Sequence, residues 1–162
     1  MKRIFLLLLL VCTNCMALSI QGPLIVNGNY NFILSGKYDS QSYNDFKNLY
    51  DEYWDKEIII HSNSAGGNAD DIIKIMDLVY EHKKTKWMVD DKSICDSCCA
   101  FTAISSKSVS GRLRFHAITW NKNNLPVLET NEQIKNRLTK IGFSDIMVNN
   151  MLGKDLFEVS YK

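Results

Sequence analysis

The chain has 162 residues, with 46% hydrophobic and 23% charged side chains and a formal net charge of +1 at pH 7. This length predicts a single domain, and the composition is that of a globular protein and excludes an intrinsically disordered one. Because no basic patch stands out, nothing in the sequence favours nucleic acid as a partner.

The N-terminus has the pattern of a secretory signal peptide. Lys2-Arg3 gives a positive start, residues 4–12 form a short apolar run, and Cys15-Met16-Ala17 offers a cleavage site. The run is too short to span a bilayer comfortably. We therefore predict a signal peptide over residues 1–17 and one domain over residues 18–162. The protein is then exported, periplasmic or secreted, with no stable membrane span after cleavage.

The first half of the remaining chain predicts alternating strands and helices. Residues 24–26 and 30–34 are short apolar runs on either side of Asn27-Gly28, a pair typical of a hairpin turn. Residues 42–54 carry apolar side chains at helical spacing, and the continuous apolar run at residues 57–60 suits a buried strand.

A glycine-containing loop follows that strand. Residues 64–68 read Ser-Ala-Gly-Gly-Asn, and a helix is predicted from about residue 69 to residue 83. Strand, glycine loop, helix and strand form the βαβ pattern of a parallel sheet, so we predict an α/β fold. Taken alone, Gly66 and Gly67 most often relax a tight turn. The alternative is that their missing side chains let an oxyanion approach the backbone N–H groups.

The segment Cys95-Asp96-Ser97-Cys98-Cys99-Ala100 predicts a nucleophile. It lies between two apolar runs, where a strand turns into a helix and free N–H groups at the helix N-terminus face a developing oxyanion. Outside the cytoplasm, a disulfide is expected between close cysteines. Cys95 could pair with Cys99 around Ser97 or with Cys98 in a redox-type ring, and the spacing leaves both open.

His116 is the candidate general base. It follows Ser97 by 19 residues, within a predicted strand over residues 113–120 that comes after a polar, turn-rich stretch at residues 105–112. A returning strand would bring the imidazole beside the hydroxyl. A lone histidine is more often a satisfied core residue, and we interpret His61 and His82 as structural.

The C-terminal part predicts a helical arm after a polar turn at residues 121–124. Thr130 and Gln133 resemble a capping box, and a helix over residues 130–141 ends at Gly142. A second short helix is predicted over residues 144–152. The apolar stripes of this arm indicate either core packing or a contact between subunits.

Taken together, the glycine loop, the Cys95–Ala100 segment and Phe115-His116 resemble the ClpP-like serine peptidases of the ClpP/crotonase superfamily, over residues 32–116. The resemblance is strongest to a secreted or periplasmic branch with a Cys-x-Ser-x-Cys turn. It implies a ClpP/crotonase-like repeated ββα/βαβ core with a C-terminal helical arm. It also implies a peptide or protein substrate, assembly into a homo-oligomer, and no cofactor or metal.

The resemblance also implies a role for individual residues. Two features depart from the family pattern, since Ala65 stands where proline is usual and Cys98 is an additional cysteine. The third member of a triad is either Asp155, Asp145 or absent, and we favour Asp155. The implied roles are Ser97 as nucleophile, His116 as general base, the N–H groups of Gly67 and Cys98 as oxyanion hole, and Cys95 and Cys99 as a disulfide.

Three other interpretations stay open. Cys95-x-x-Cys98 at a helix start is the placement of a thiol–disulfide protein. A catalytically inactive binding or assembly protein would use Ser97 only as a helix N-cap. A metal site built from Cys95, Cys98, Cys99 and His116 is a minor option, because adjacent cysteines ligate one metal poorly.

Overall fold

The structure, a computed structural model, describes residues 16–119 and 127–162. Residues 1–15 of the predicted signal peptide and the predicted turn at residues 121–124 lie outside the described residues. Within the described ranges, the sheet has six strands in the order β1-β2-β3-β4-β5-β6. The strands are β1 (Ser19–Val26), β2 (Asn29–Ser35), β3 (Ile58–Asn63), β4 (Thr85–Met88), β5 (Ser108–Phe115) and β6 (Phe157–Tyr161).

The helices within these ranges connect the strands and cover one face of the sheet. None of them is both long and apolar enough to cross a membrane. They are α1 (Ser42–Tyr53), α2 (Ile72–Glu81), α3 (Cys98–Ile104), α4 (Leu128–Ile141) and α5 (Asp145–Met151).

The centre of the sheet is parallel, as the βαβ pattern predicted. Strands β2, β3, β4 and β5 pair in parallel, whereas β1 and β6 join the two ends antiparallel. The α/β fold class predicted from the sequence is confirmed. The predicted hairpin turn is also present between β1 and β2, where Asn27 and Gly28 both have positive φ angles, of 51° and 81°.

The core lies between the sheet and the helices. Phe32 and Leu34 of β2 and Ile60 of β3 are buried on this side, whereas Ile33 on the opposite face is 57% exposed. This alternation follows from the two-residue period of a strand. The buried indole of Trp87 donates a hydrogen bond of 2.8 Å to the Ser62 hydroxyl, which satisfies its polar atom inside the core.

The helical arm packs on the domain. Ile134 and Leu138 of α4 are fully buried, and Arg137 pairs with Asp77 of α2 at 2.5 Å. The apolar stripe of α4 therefore packs into the core. As predicted, α4 ends at Gly142, whose φ of 112° is the left-handed conformation that favours glycine.

Two sequence predictions are wrong in detail. β5 begins at Ser108, within the stretch predicted as turns, because its polar residues still pair with β4 through the backbone, Ser108 opposite Lys86 and Ser110 opposite Met88. The predicted capping box at Thr130 and Gln133 is also wrong, since α4 begins at Leu128 and its N-cap is Val127.

Candidate active site

Ser97 lies in a sharp turn between an extended segment and α3. Its φ of 53° and ψ of −121° are rare for a residue with a side chain. The backbone is fixed on both sides, because Ser97 N–H donates to the Arg114 carbonyl at 2.9 Å and Ser97 carbonyl accepts from Phe101 at 3.1 Å. Ser97 is 7% exposed at the N-terminus of a buried helix. Strain of this kind is typical of a nucleophile held at a strand-to-helix turn.

A disulfide encloses this turn. Cys95 and Cys99 are bonded, with their Cα atoms 5.1 Å apart, and both residues are fully buried. The structure thus has the pairing that the resemblance implied. The cross-link joins the last residue before the turn to the first turn of α3 and so restrains the backbone of Ser97.

The disulfide predicts a moderate loss of stability when it is removed. Closing a loop of this length lowers the entropy of the unfolded chain, and we expect Cys95→Ala with Cys99→Ala to cost about 2 kcal/mol of unfolding free energy. Urea unfolding measures this cost. The matched control is Cys98→Ala, which leaves the cross-link intact. A double variant as stable as the parent protein would contradict the prediction.

Cys98 is a free, buried thiol beside Ser97. Its Sγ lies 3.5 Å from the Gly67 carbonyl oxygen, and burial raises the pKa of the Cys98 thiol to about 11. At neutral pH it is therefore protonated and a poor nucleophile. Since Cys95 is bonded to Cys99, the structure gives no support to a redox pair between Cys95 and Cys98.

The glycine loop packs directly against Ser97. A Cβ atom on Gly66 would lie 2.7 Å from the Cβ of Ser97, 2.7 Å from the Asp96 carbonyl oxygen and 3.0 Å from the backbone nitrogen of Cys98. Gly66 also has a φ of 82°. Glycine is thus required here by space and by conformation, and not merely by a tight turn.

Tyr38 holds this loop in place through its backbone. Its N–H donates to the Gly66 carbonyl at 3.0 Å, and its carbonyl accepts from Asn68 N–H at 2.8 Å. Ser64 adds a third restraint, since its hydroxyl accepts from Gly66 N–H at 3.2 Å. These bonds fix the peptide plane between Gly66 and Gly67.

Two backbone donors remain free beside Ser97. In residues 16–119 and 127–162, neither Gly67 N–H nor Cys98 N–H forms a hydrogen bond. Free N–H groups at the start of a buried helix and in a fixed glycine loop are the type of donor that binds an oxyanion.

His116 follows the end of β5 and is half-buried. Its Nδ1 lies 2.8 Å from the carbonyl oxygen of Ala117. Because a carbonyl only accepts, Nδ1 carries the proton, and the lone pair of the neutral ring is on Nε2. The Arg114 carbonyl, two residues earlier, accepts the hydrogen bond from Ser97 N–H, so the end of β5 that leads into His116 lies beside the turn at Ser97. The described residues contain no hydrogen bond between the ring and the Ser97 hydroxyl, a bond that often tightens only with substrate.

The two candidate acids occupy different places. Asp155 is exposed in the loop between α5 and β6, and this loop contacts the residue after His116, because Ala117 N–H donates to the Gly153 carbonyl at 2.9 Å. Asp145 is exposed in the first turn of α5. Neither carboxylate forms a hydrogen bond with His116 in the part of the chain that the structure describes.

The other two histidines, His61 and His82, form hydrogen bonds with other parts of the fold. His82 is buried, with Nδ1 at 2.7 Å from the Thr85 hydroxyl and Nε2 at 2.9 Å from the Trp54 carbonyl. Burial lowers the pKa of His82. His61 Nε2 lies 3.3 Å from the Asn31 side chain. Within the described ranges, no group of three or more His, Cys, Asp and Glu side chains could hold a metal ion.

Sequence reasoning missed two contributors to this site, Tyr38 and the ion pair between Asp96 and Arg114. Arg114 donates to Asp96 at 2.7 Å from Nε and 2.5 Å from Nη2. The hydrogen bond to Asp96 raises the pKa of Arg114. The available sequence signal for Arg114 was a charged side chain at an alternate position of the predicted strand, two residues before His116. Tyr38 contributes through its backbone, which no side-chain pattern in the sequence indicates.

Comparison with known proteins identifies the fold. No family model matches the chain, and no curated protein matches it. Among solved structures, a mutant of the membrane-bound stomatin-specific protease 1510-N is similar with a TM-score of 0.61 and 16% identity, covering 80% of this chain and 70% of that one. A ClpP1 mutant from Listeria monocytogenes is similar with a TM-score of 0.58 and 15% identity, over 80% and 82%. The chain therefore has the fold of the ClpP-like serine peptidases.

Proposed function

We propose that this chain is a serine hydrolase that cleaves peptide bonds. One observation carries the proposal. Ser97 is held in a strained turn at the start of α3, beside the two unpaired N–H groups of Cys98 and Gly67. A helix N-cap alone requires neither the strain nor the glycine loop packed on the serine. The ClpP-like fold supports a peptidase among the serine hydrolases.

The proposed reaction uses the tautomer of His116 described above. Nε2 takes the proton of the Ser97 hydroxyl as the oxygen attacks the substrate carbonyl, and later returns it to the leaving amine. The N–H groups of Gly67 and Cys98 donate to the tetrahedral oxyanion. The Ala117 carbonyl holds Nδ1–H at 2.8 Å and so keeps the ring in the orientation and tautomer of a base.

This arrangement favours a Ser–His dyad over a triad completed by Asp155. We expect Asp155→Asn to lower kcat by less than about tenfold, because a backbone carbonyl already orients the ring, whereas loss of a true triad acid costs about 10⁴-fold. Hydrolysis of a peptide substrate measures kcat. Asp145→Asn is the matched control at the other candidate acid. A 10³-fold or larger loss confined to Asp155→Asn would establish Asp155 as the third member.

Export is part of the proposal. The motivation is the signal pattern of residues 1–17 together with the Cys95–Cys99 disulfide, since disulfides persist in oxidising compartments. The mature protein would then begin at Leu18 outside the cytoplasm. N-terminal sequencing of the protein recovered from its native compartment tests this, and a cytoplasmic chain that still begins at Met1 would contradict it.

The proposed partners are a peptide or protein substrate and further copies of the chain. Leu128 and Ile146, at the starts of α4 and α5, are each 78% exposed and could be covered between copies. Light scattering on the purified protein measures the assembly state, and a monomer at micromolar concentration would contradict the second partner.

The experiment that tests the hydrolase is labelling of the purified mature protein with a fluorophosphonate probe, followed by mapping of the labelled peptide. We expect a single label on Ser97 and none in Ser97→Ala. Cys98→Ser serves as a control for the adjacent thiol and should still be labelled at Ser97. A folded protein that takes no label would instead support an inactive binding or assembly protein.

A further inference from the structure

An ion pair joins the segments that carry the proposed nucleophile and base. The carboxylate of Asp96, the residue before Ser97, accepts from Arg114 Nε at 2.7 Å and from Nη2 at 2.5 Å. Backbone bonds run beside the pair, because Ser97 donates to the Arg114 carbonyl and Arg114 donates to the Cys95 carbonyl. The Asp96 side chain is only 16% exposed and that of Arg114 is 33% exposed, so solvent screens this pair incompletely.

Asp96 adjoins the residues that would carry the developing charge in the proposed reaction. Consecutive Cα atoms are about 3.8 Å apart, so Asp96 is one residue from the nucleophile and two from the Cys98 N–H donor. The glycine loop packs on the same segment, since a Cβ atom on Gly66 would lie 2.7 Å from the Asp96 carbonyl oxygen. A tetrahedral intermediate adds a second negative charge next to this segment, and the two charges repel.

Arg114 is the cation that pairs with the Asp96 carboxylate. Its guanidinium binds both carboxylate oxygens of Asp96, a geometry that a lysine cannot reproduce. On the neighbouring strand, Glu158 lies opposite Arg114 in the register of β5 and β6, but its side chain is exposed. Of the two acids beside Arg114, Asp96 is therefore the less exposed and the one adjacent to Ser97 in the chain.

We propose that Arg114 is a positioning residue of the Ser97 site, which neutralises the Asp96 carboxylate so that an oxyanion can form beside it. This inference rests on the proposed function, because it concerns the charge that develops on attack by Ser97. It assigns a role to a residue that would contact neither the substrate nor the proton transferred from Ser97.

The test is the rate of fluorophosphonate labelling of Ser97, since phosphonylation also develops negative charge in the oxyanion hole. We expect Arg114→Met to slow labelling by about tenfold or more, because Asp96 is left as an unpaired anion. Adding Asp96→Asn to Arg114→Met should restore the rate to within about threefold of the wild-type protein, since the offending charge is gone. A purely structural ion pair predicts the opposite, because the double variant lacks the pair just as the single variant does.

The matched control is Arg137→Met, which breaks the pair between Arg137 and Asp77 of α2, a pair with similar exposure and no contact with Ser97. It should label at the wild-type rate, and thermal melting records the stability of every variant. If Arg114→Met labels as fast as wild type, or the double variant as slowly as Arg114→Met, this inference is overturned alone. If the wild-type protein takes no label at Ser97, the proposed function fails and this inference fails with it.

Discussion

Ser97→Gly is expected to abolish hydrolysis and at the same time to raise the free energy of unfolding by about 1 kcal/mol. The hydroxyl is the proposed nucleophile, so its loss should lower kcat by about 10⁴-fold or more. The φ of 53° and ψ of −121° at this position strain a residue with a Cβ atom but not a glycine. We expect the free energy gained by relieving that strain to exceed the stability lost to the greater conformational entropy of glycine in the unfolded chain.

The matched variant is Ser97→Ala, which also loses the nucleophile but keeps the Cβ atom and therefore the strain. Urea unfolding followed by tryptophan fluorescence should place Ser97→Ala within about 0.5 kcal/mol of the parent protein and below Ser97→Gly. Equal stabilities of the two variants would mean that the turn stores no strain. Measurable hydrolysis by either would remove Ser97 from the mechanism.

Gly66→Ala is expected to destabilise the protein by about 3 kcal/mol and to slow hydrolysis by about 10²-fold. The added methyl group would overlap the Ser97 Cβ and the Asp96 carbonyl oxygen, each at 2.7 Å. It would also lie 3.0 Å from the Cys98 nitrogen and cover that N–H donor. The loop would pack less well against Ser97, and the proposed oxyanion hole would lose access to one of its donors.

Gly28→Ala is the control for the backbone conformation. Gly28 has a φ of 81°, almost equal to the 82° of Gly66, but a Cβ atom there would have no neighbour within 4 Å. It should cost only about 1 kcal/mol, the penalty of the left-handed conformation. The difference in unfolding free energy between the two variants isolates the contact with Ser97. If both cost the same, the loop does not press on Ser97.

The parts of the fold that follow local rules could be predicted from the sequence. Asn27-Gly28 encodes a turn with two positive φ angles, and Gly142 encodes a helix end. The order of apolar runs predicted the parallel centre of the sheet. The start of β5 could not be predicted, because Ser108 and Ser110 are polar and enter the sheet through backbone pairing with β4.

The candidate site was predictable where side chains form a motif and unpredictable where the backbone acts. Ser97, His116 and the glycine loop stand out by residue type and order. The bonds between Tyr38 and the loop join backbones 28 or more residues apart, and no side chain records them. The partner of Cys95 depended on the turn at Ser97, which places Cys99 within bonding distance and leaves Cys98 pointing to Gly67.

The edge of the sheet near the predicted cleavage site would change when an exported chain is processed. Lys37 N–H donates to the Met16 carbonyl at 3.0 Å, Ala17 pairs with Lys37, and Leu18 is 7% exposed. Ala17 also packs closely on Gly36, where even a methyl group would meet the Ala17 carbonyl oxygen at 2.3 Å. Cleavage after Ala17 would remove the Met16 carbonyl and leave Lys37 N–H without this acceptor. The mature chain would then begin with one backbone bond fewer at this edge than its precursor.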